Sequence, residues 1–231
     1  MHLTLEAQQT SVNAGRILAL GLPPRIAVTL QRLGVEITGL DSVLADRPPA
    51  EAYAAIAAIV LARAEQDPPA VFLSQGNPLL LNNINRYLFV EAAARDLTIH
   101  VIAGVSPVDI VVNDLGLDVG RTGLFTIAAT GILRKPVLLN PRVPLLILQL
   151  GALDAAGCDE LVSALSWKYP PEHAITLLNL APEGGVTRAT VTLDGFAELV
   201  PHIDASSMVF LGAAPAFVAN PRSAATATAP A

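Results

Sequence analysis

The sequence predicts an α/β protein, and two observations predict it. Apolar runs of strand length alternate with helical patterns almost throughout, the pattern of a sheet covered by helices. Most of these runs in the first half are continuous, so their strands are buried on both faces, as in a parallel sheet. In the second half, "VTRATVTL" (186–193) alternates polar and apolar residues, which predicts a half-exposed antiparallel strand and a mixed sheet there.

The elements follow in order. Strands are expected at residues 16–20 (RILAL), 70–76 (AVFLSQG), 98–104 (TIHVIAG), 124–130 (LFTIAAT), 174–181 (AITLLNLA), 186–193 and 206–212 (SSMVFLG). Helices are expected at 24–33, 50–66, 83–96, 107–116 and 158–169, where apolar residues recur at helical spacing. The glycine-bearing turn "DVGRTG" (118–123) is the expected domain boundary. It divides residues 1–121 from 122–216, and 217–231, small and polar-leaning, form an expected disordered tail. There is no internal repeat.

Composition narrows the function. With 231 residues, 52% hydrophobic and only 15% charged, the chain can build one large core or two smaller ones. The net charge of −6 and the lack of a Lys/Arg stripe argue against a nucleic-acid partner. The most apolar run, "PVLLNPRVPLLILQLGAL", is interrupted by Asn140, Pro141, Arg142, Pro144 and Gln149, too often for a helix in lipid. The start has no signal-peptide pattern, so a cytoplasmic location is expected and a membrane partner is not. A single cysteine, Cys158, rules out an internal disulfide. It opens a helix beside Asp159 and Glu160 and is read as inert. Two lysines against twelve arginines suit a bacterial coding bias.

Two loops could carry chemistry. "LSQGNPLLLNN" (73–83) ends a predicted parallel strand with Gly76, Asn77 and Pro78 and then offers three leucines. Ligands of open α/β sheets bind at the carboxyl ends of strands, and glycine there permits close approach. An ordinary turn explains these residues equally well. "IAGVSPVD" (102–109) repeats the arrangement, with Ser106 and Asp109 also fitting a helix capping box. The four histidines are scattered, no metal-binding spacing is present, and neither phosphate-cradling loops nor a nucleophile elbow occurs. His100 reads as a core residue within its strand.

"SQGNPLLL" together with "VIAGVSPVDIVVNDLGLDVGRTGLFTIAATGIL" resembles the tetrapyrrole methylase superfamily of S-adenosylmethionine-dependent methyltransferases, with the nearest likeness to borosin-type peptide backbone N-methyltransferases. The resemblance implies two α/β/α domains, a mostly parallel sheet in the first and a mixed sheet in the second. It also implies that the family's first strand and glycine-rich turn would precede Met1. By the same resemblance, S-adenosylmethionine is held by Gln75, Gly76, Asn77, Pro78, Leu80, Leu81, Ser106 and Pro107 from the first domain. Gln149, Asn179 and Leu180 would complete its site from the second. Tyr53 matches a catalytic tyrosine, and Arg47 lies two residues from the position of a catalytic arginine, which carries Pro49 here. Three functions compete: N-methylation of a separate peptide, methylation of a small tetrapyrrole-like molecule, and non-catalytic cofactor binding. A homodimer is expected.

Overall fold

A computed structural model describes residues 2–45, 47–135, 137–181 and 185–214. The chain falls into two compact units, Met1–Ile110 and Val111–Ala231. The first unit runs α1 (Leu5–Ala14), β1 (Arg16–Leu20), α2 (Pro24–Arg32), β2 (Glu36–Gly39), α3 (Ser42–Ala45), α4 (Pro49–Gln66), β3 (Phe72–Ser74) and α5 (Asn83–Ala94). The division falls inside α6 (Pro107–Leu115), ahead of the turn at 118–123. That turn is itself ordered. Asp118 accepts hydrogen bonds from the Gly120 and Arg121 N–H groups and caps a short helix, α7 (Val119–Thr122).

The first unit's sheet is wholly parallel, in the order β2-β1-β3. Side chains alternate along β1, and the two faces fill separately. Ile17 packs with Leu30 and Val35, against Ile26 of α2 and Val12 of α1. Leu18 faces the other way, into Ile56, Val60 and Leu61 of α4 and Ile84 and Leu88 of α5. The sheet is therefore a middle layer between two helical ones. Helix starts and stops follow from their termini: Thr4 accepts the Ala7 N–H and Gly15 ends α1 at φ 68°, while Pro24 and Pro49 occupy first turns.

One predicted strand is absent. Residues 98–104 follow α5 without helix or strand assignment, and Val101 is 43% exposed. The continuous apolar run there suggests a buried strand, but a strand needs neighbours to supply its ladder bonds. Among the described residues no strand pairs with this segment. His100 is correspondingly exposed and is not a core residue. β2 was not expected, because "EITG" carries no apolar run.

The second unit adds β4 (Phe125–Ala128), α8 (Ala129–Arg134), β5 (Leu145–Leu148), α9 (Ala155–Ser166), β6 (Ala174–Leu180), β7 (Val186–Thr192) and β8 (Met208–Leu211). Its sheet has the order β4-β5-β8-β6-β7. β4 and β5 are parallel, and the remaining pairs are antiparallel. β7 lies at the edge and is largely exposed, as its alternating sequence implies. Leu145, Ile147, Ile175, Leu177, Val209 and Leu211 point into one cluster with Leu161 and Leu165 of α9. Cys158 is buried in the same cluster, where desolvation first, then Asp159 and Asp154, raise its pKa. That agrees with an inert thiol. The expected tail lies outside the described residues.

Candidate functional site

In the first unit the ends of three chain segments converge. β1 runs into Gly21, whose N–H donates to Asp41 Oδ1 at 2.9 Å. Its φ is 61°, and a Cβ added there would lie 4.0 Å from Gln75 Oε1. β3 runs into Gln75, which is exposed, and then Gly76 at φ 80°. Asn77 rounds the loop: its side-chain oxygen accepts the Leu79 N–H at 2.9 Å, and its carbonyl accepts the Leu80 N–H at 3.1 Å. Pro78 and Leu80 are half-buried, whereas Leu79 and Leu81 are 60% and 40% exposed. Leu81 has φ 55°, a left-handed conformation that a bulky residue rarely adopts. Such outliers persist where surrounding structure imposes them, and they cluster at ligand sites.

The third segment closes on the second. A Cβ on Gly104 would overlap the Gly76 carbonyl, 3.1 Å from its carbon and 3.5 Å from Asn77 Cα. Only glycine permits this approach. A Cβ on Gly76 would meet Pro107 Cδ at 3.7 Å, so Pro107 lies beside the first loop. Ser106 is 7% exposed and forms the expected capping box. Its N–H and Oγ donate to Asp109 Oδ2 at 2.7 and 2.6 Å, and Oγ accepts the Asp109 N–H at 3.1 Å. Thr4 Oγ1 also donates to the Ala103 carbonyl at 3.3 Å. Residues 75–81 and 106–107 therefore share one surface, with glycine backbone for close approach and exposed leucines as an apolar wall. An apolar wall beside a few fixed polar groups is what small-molecule sites present.

The hydrogen bonds from Ser106, its hydroxyl first and its N–H second, hold the Asp109 carboxyl below its usual pKa. A depressed folded-state pKa stabilises above the unfolded value and is lost as pH falls through the folded one. Asp109→Asn should accordingly flatten part of the acid limb of the stability curve below about pH 4. Chemical denaturation at pH 3 and pH 6 checks this: the variant's deficit relative to the wild type should shrink at the lower pH.

Tyr53 is half-buried on α4 and packs against the cluster that holds Leu18 and Ile56. Arg47 is exposed ahead of that helix. Among the described residues no hydrogen bond joins either side chain to the two loops.

In the second unit, Gln149 follows β5 at φ 56° and is exposed between buried Leu148 and Leu150. The Leu150 N–H donates to the Ser207 carbonyl at 3.0 Å. Ser207 Oγ, fully buried, donates to Asn179 Oδ1 at 2.7 Å. Asn179 Nδ2 donates to the His202 carbonyl at 2.9 Å, so both ends of its amide are occupied. Leu180 closes β6 opposite Val186. A cavity of about 210 Å³ opens beside Asn179, lined also by Leu177, Thr187, Arg188, Ala189 and His202. Arg188 is engaged there by the Asp114 carboxylate, with Nη2 at 2.7 Å, and by the Asp114 carbonyl. Sequence reasoning missed Ser207, although the "DASS" turn before an apolar strand offered a signal. It also missed Asp41, Asn82 and Asn85, whose partners are set by the fold.

No group of three His, Cys, Asp or Glu side chains among the described residues could hold a metal ion. No helix among them is long and apolar enough to cross a membrane.

Comparison with known proteins gives this arrangement a context. A uroporphyrin-III C-methyltransferase from Thermus thermophilus superposes with a TM-score of 0.65 at 21% identity, over 92% of this chain and 86% of that one. A Thermus thermophilus enzyme of the same name, complexed with S-adenosyl homocysteine, gives 0.63 at 17% identity, over 91% and 90%. A cobalt precorrin-4 methyltransferase of cobalamin biosynthesis gives 0.67 at 13% identity, over 91% and 88%. At these identities the likeness establishes the fold, and no curated protein matches the chain. The family profile reaches further. Residues 1–176 match the Tetrapyrrole (Corrin/Porphyrin) Methylases, and the chain belongs to that family of methyltransferases.

Proposed function

We propose that this protein transfers a methyl group from S-adenosylmethionine to a small tetrapyrrole-like acceptor. The observation that carries the reading is the close approach of Gly104 to Gly76, which sets two glycine loops and an exposed leucine wall on one surface. Gln75, Gly76, Asn77, Pro78, Leu80, Leu81, Ser106 and Pro107 hold the cofactor on this reading. Bound S-adenosylmethionine supplies a sulfonium methyl to a nucleophile. The chain's own part is alignment and exclusion of water, which need neither metal nor triad. The solved proteins of the same fold are named for uroporphyrin and precorrin acceptors. That favours the tetrapyrrole class and moves the peptide backbone, first in the sequence reading, to second place. The high apolar content supports a homodimer, and we assign the protein to the cytoplasm.

Calorimetry with S-adenosylhomocysteine should return a micromolar dissociation constant, about −8 kcal/mol. No heat and no thermal shift would overturn the cofactor assignment. Turnover with uroporphyrin III-type tetrapyrroles, compared with backbone peptides, separates the two acceptor classes. Within this reading Tyr53 orients the acceptor and Arg47 assists it. Tyr53→Phe should slow methyl transfer roughly a hundredfold while cofactor affinity holds. An unchanged rate, with stability lower by about 1 kcal/mol, would return Tyr53 to the core.

A further inference from the structure

We propose that Asn85 is a positioning residue for the cofactor loop: its side-chain amide, donated from the first turn of α5 to the Pro78 carbonyl, locks the loop tip in its ligand-receiving shape. The inference rests on the reading above that this loop holds the cofactor. Three asparagines tie the segment between β3 and α5. Asn82 Nδ2 donates to Ser74 Oγ at 3.1 Å and closes the base, while Asn77 rounds the tip from within. Asn85 links that tip to the helix.

The tip needs such a link. Gly76 and Leu81 both hold positive φ, and a leucine keeps that conformation only where its surroundings impose it. Leu79 and Leu81 are exposed, so apolar packing does little to hold the tip and polar ties must do so. Nor does the helix need the Asn85 side chain to begin. Asn82 already caps α5 by accepting the Ile84 N–H at 3.2 Å, which leaves the Asn85 amide available for the loop.

Asn85→Asp separates the two roles. A carboxylate in a helix's first turn favours the helix through the dipole. It has no hydrogen to donate, however, and sets a negative oxygen against the Pro78 carbonyl. S-adenosylhomocysteine should bind at least tenfold more weakly, and the Leu79 and Leu80 amides should exchange faster in the ligand-free protein, with no fall in melting temperature. Asn82→Asp is the companion. It keeps the cap, and the Ser74 hydroxyl can turn to donate to the new carboxylate, so affinity should stay within about twofold. Wild-type affinity and exchange in Asn85→Asp, or equal losses in both variants, would overturn the proposal. If Asn85→Asp fails to fold, Asn85→Ala removes the same bond and is read by the same two measurements. A wild type that binds no S-adenosylhomocysteine defeats the functional reading, while exchange at Leu79 and Leu80 still tests the lock itself.

Discussion

Gly104→Ala should weaken S-adenosylhomocysteine binding at least a hundredfold. The new methyl would overlap the Gly76 carbonyl, which is backbone and cannot rotate aside as a side chain would. The Gly76 loop must therefore move, and displacement on the order of 1 Å in a positioned site costs about a hundredfold. Gly34→Ala supplies the control. Gly34 also has positive φ, at 85°, but no atom lies within 4 Å of its added Cβ. That variant should lose about 1 kcal/mol of stability from backbone strain and keep its cofactor affinity. If Gly104→Ala binds as the wild type does, the two loops do not form a shared cofactor surface.

Gly151→Ala should be the most destabilising single-methyl change in the second unit. Its Cβ would overlap the Asp204 carbonyl, 2.6 Å from the carbon and 3.0 Å from the Ala205 nitrogen. The turn carrying Asp204 is held on its own side. Ser206 N–H and Oγ both donate to Asp204 Oδ1 at 2.7 Å, and Ser207 Oγ accepts the Asp204 N–H at 2.7 Å. A well-tied turn cannot yield cheaply, so a loss of about 2–3 kcal/mol is expected, with melting lowered by roughly 5–10 °C. Scanning calorimetry checks this, and wild-type melting would mean that the turn shifts freely.

Much of this architecture was legible in the sequence, for local reasons. β1 occupies the expected Arg16–Leu20, because "RILAL" is short, apolar and followed by glycine. Helices α2, α4 and α5 start within a residue of expectation, where Pro24, Pro49 and Asn82 mark their beginnings. β5 was overlooked because "LLIL" lies in a longer apolar run that prolines interrupt. α1 was overlooked because "LEAQQTSVNA" has little apolar character, although Thr4 and Gly15 bound it plainly. The loops at Gly76 and Gly104 stood out because glycine and proline closed apolar runs. Their supports did not. Asp41 reaches Gly21 across twenty positions, and Asn85 reaches back to Pro78; both links depend on where the fold sets their elements.

The segment at 98–104 has a bearing on how the protein behaves in concentrated solution. It is apolar, its one titratable side chain is His100, and no strand pairs with it among the described residues. Short uncharged segments of high strand propensity with open backbone groups are templates for adding another chain. Among the described residues β3 pairs with β1 alone, so a second open edge belongs to the same unit. Aggregation at high protein concentration is therefore expected to begin at this stretch of the first unit.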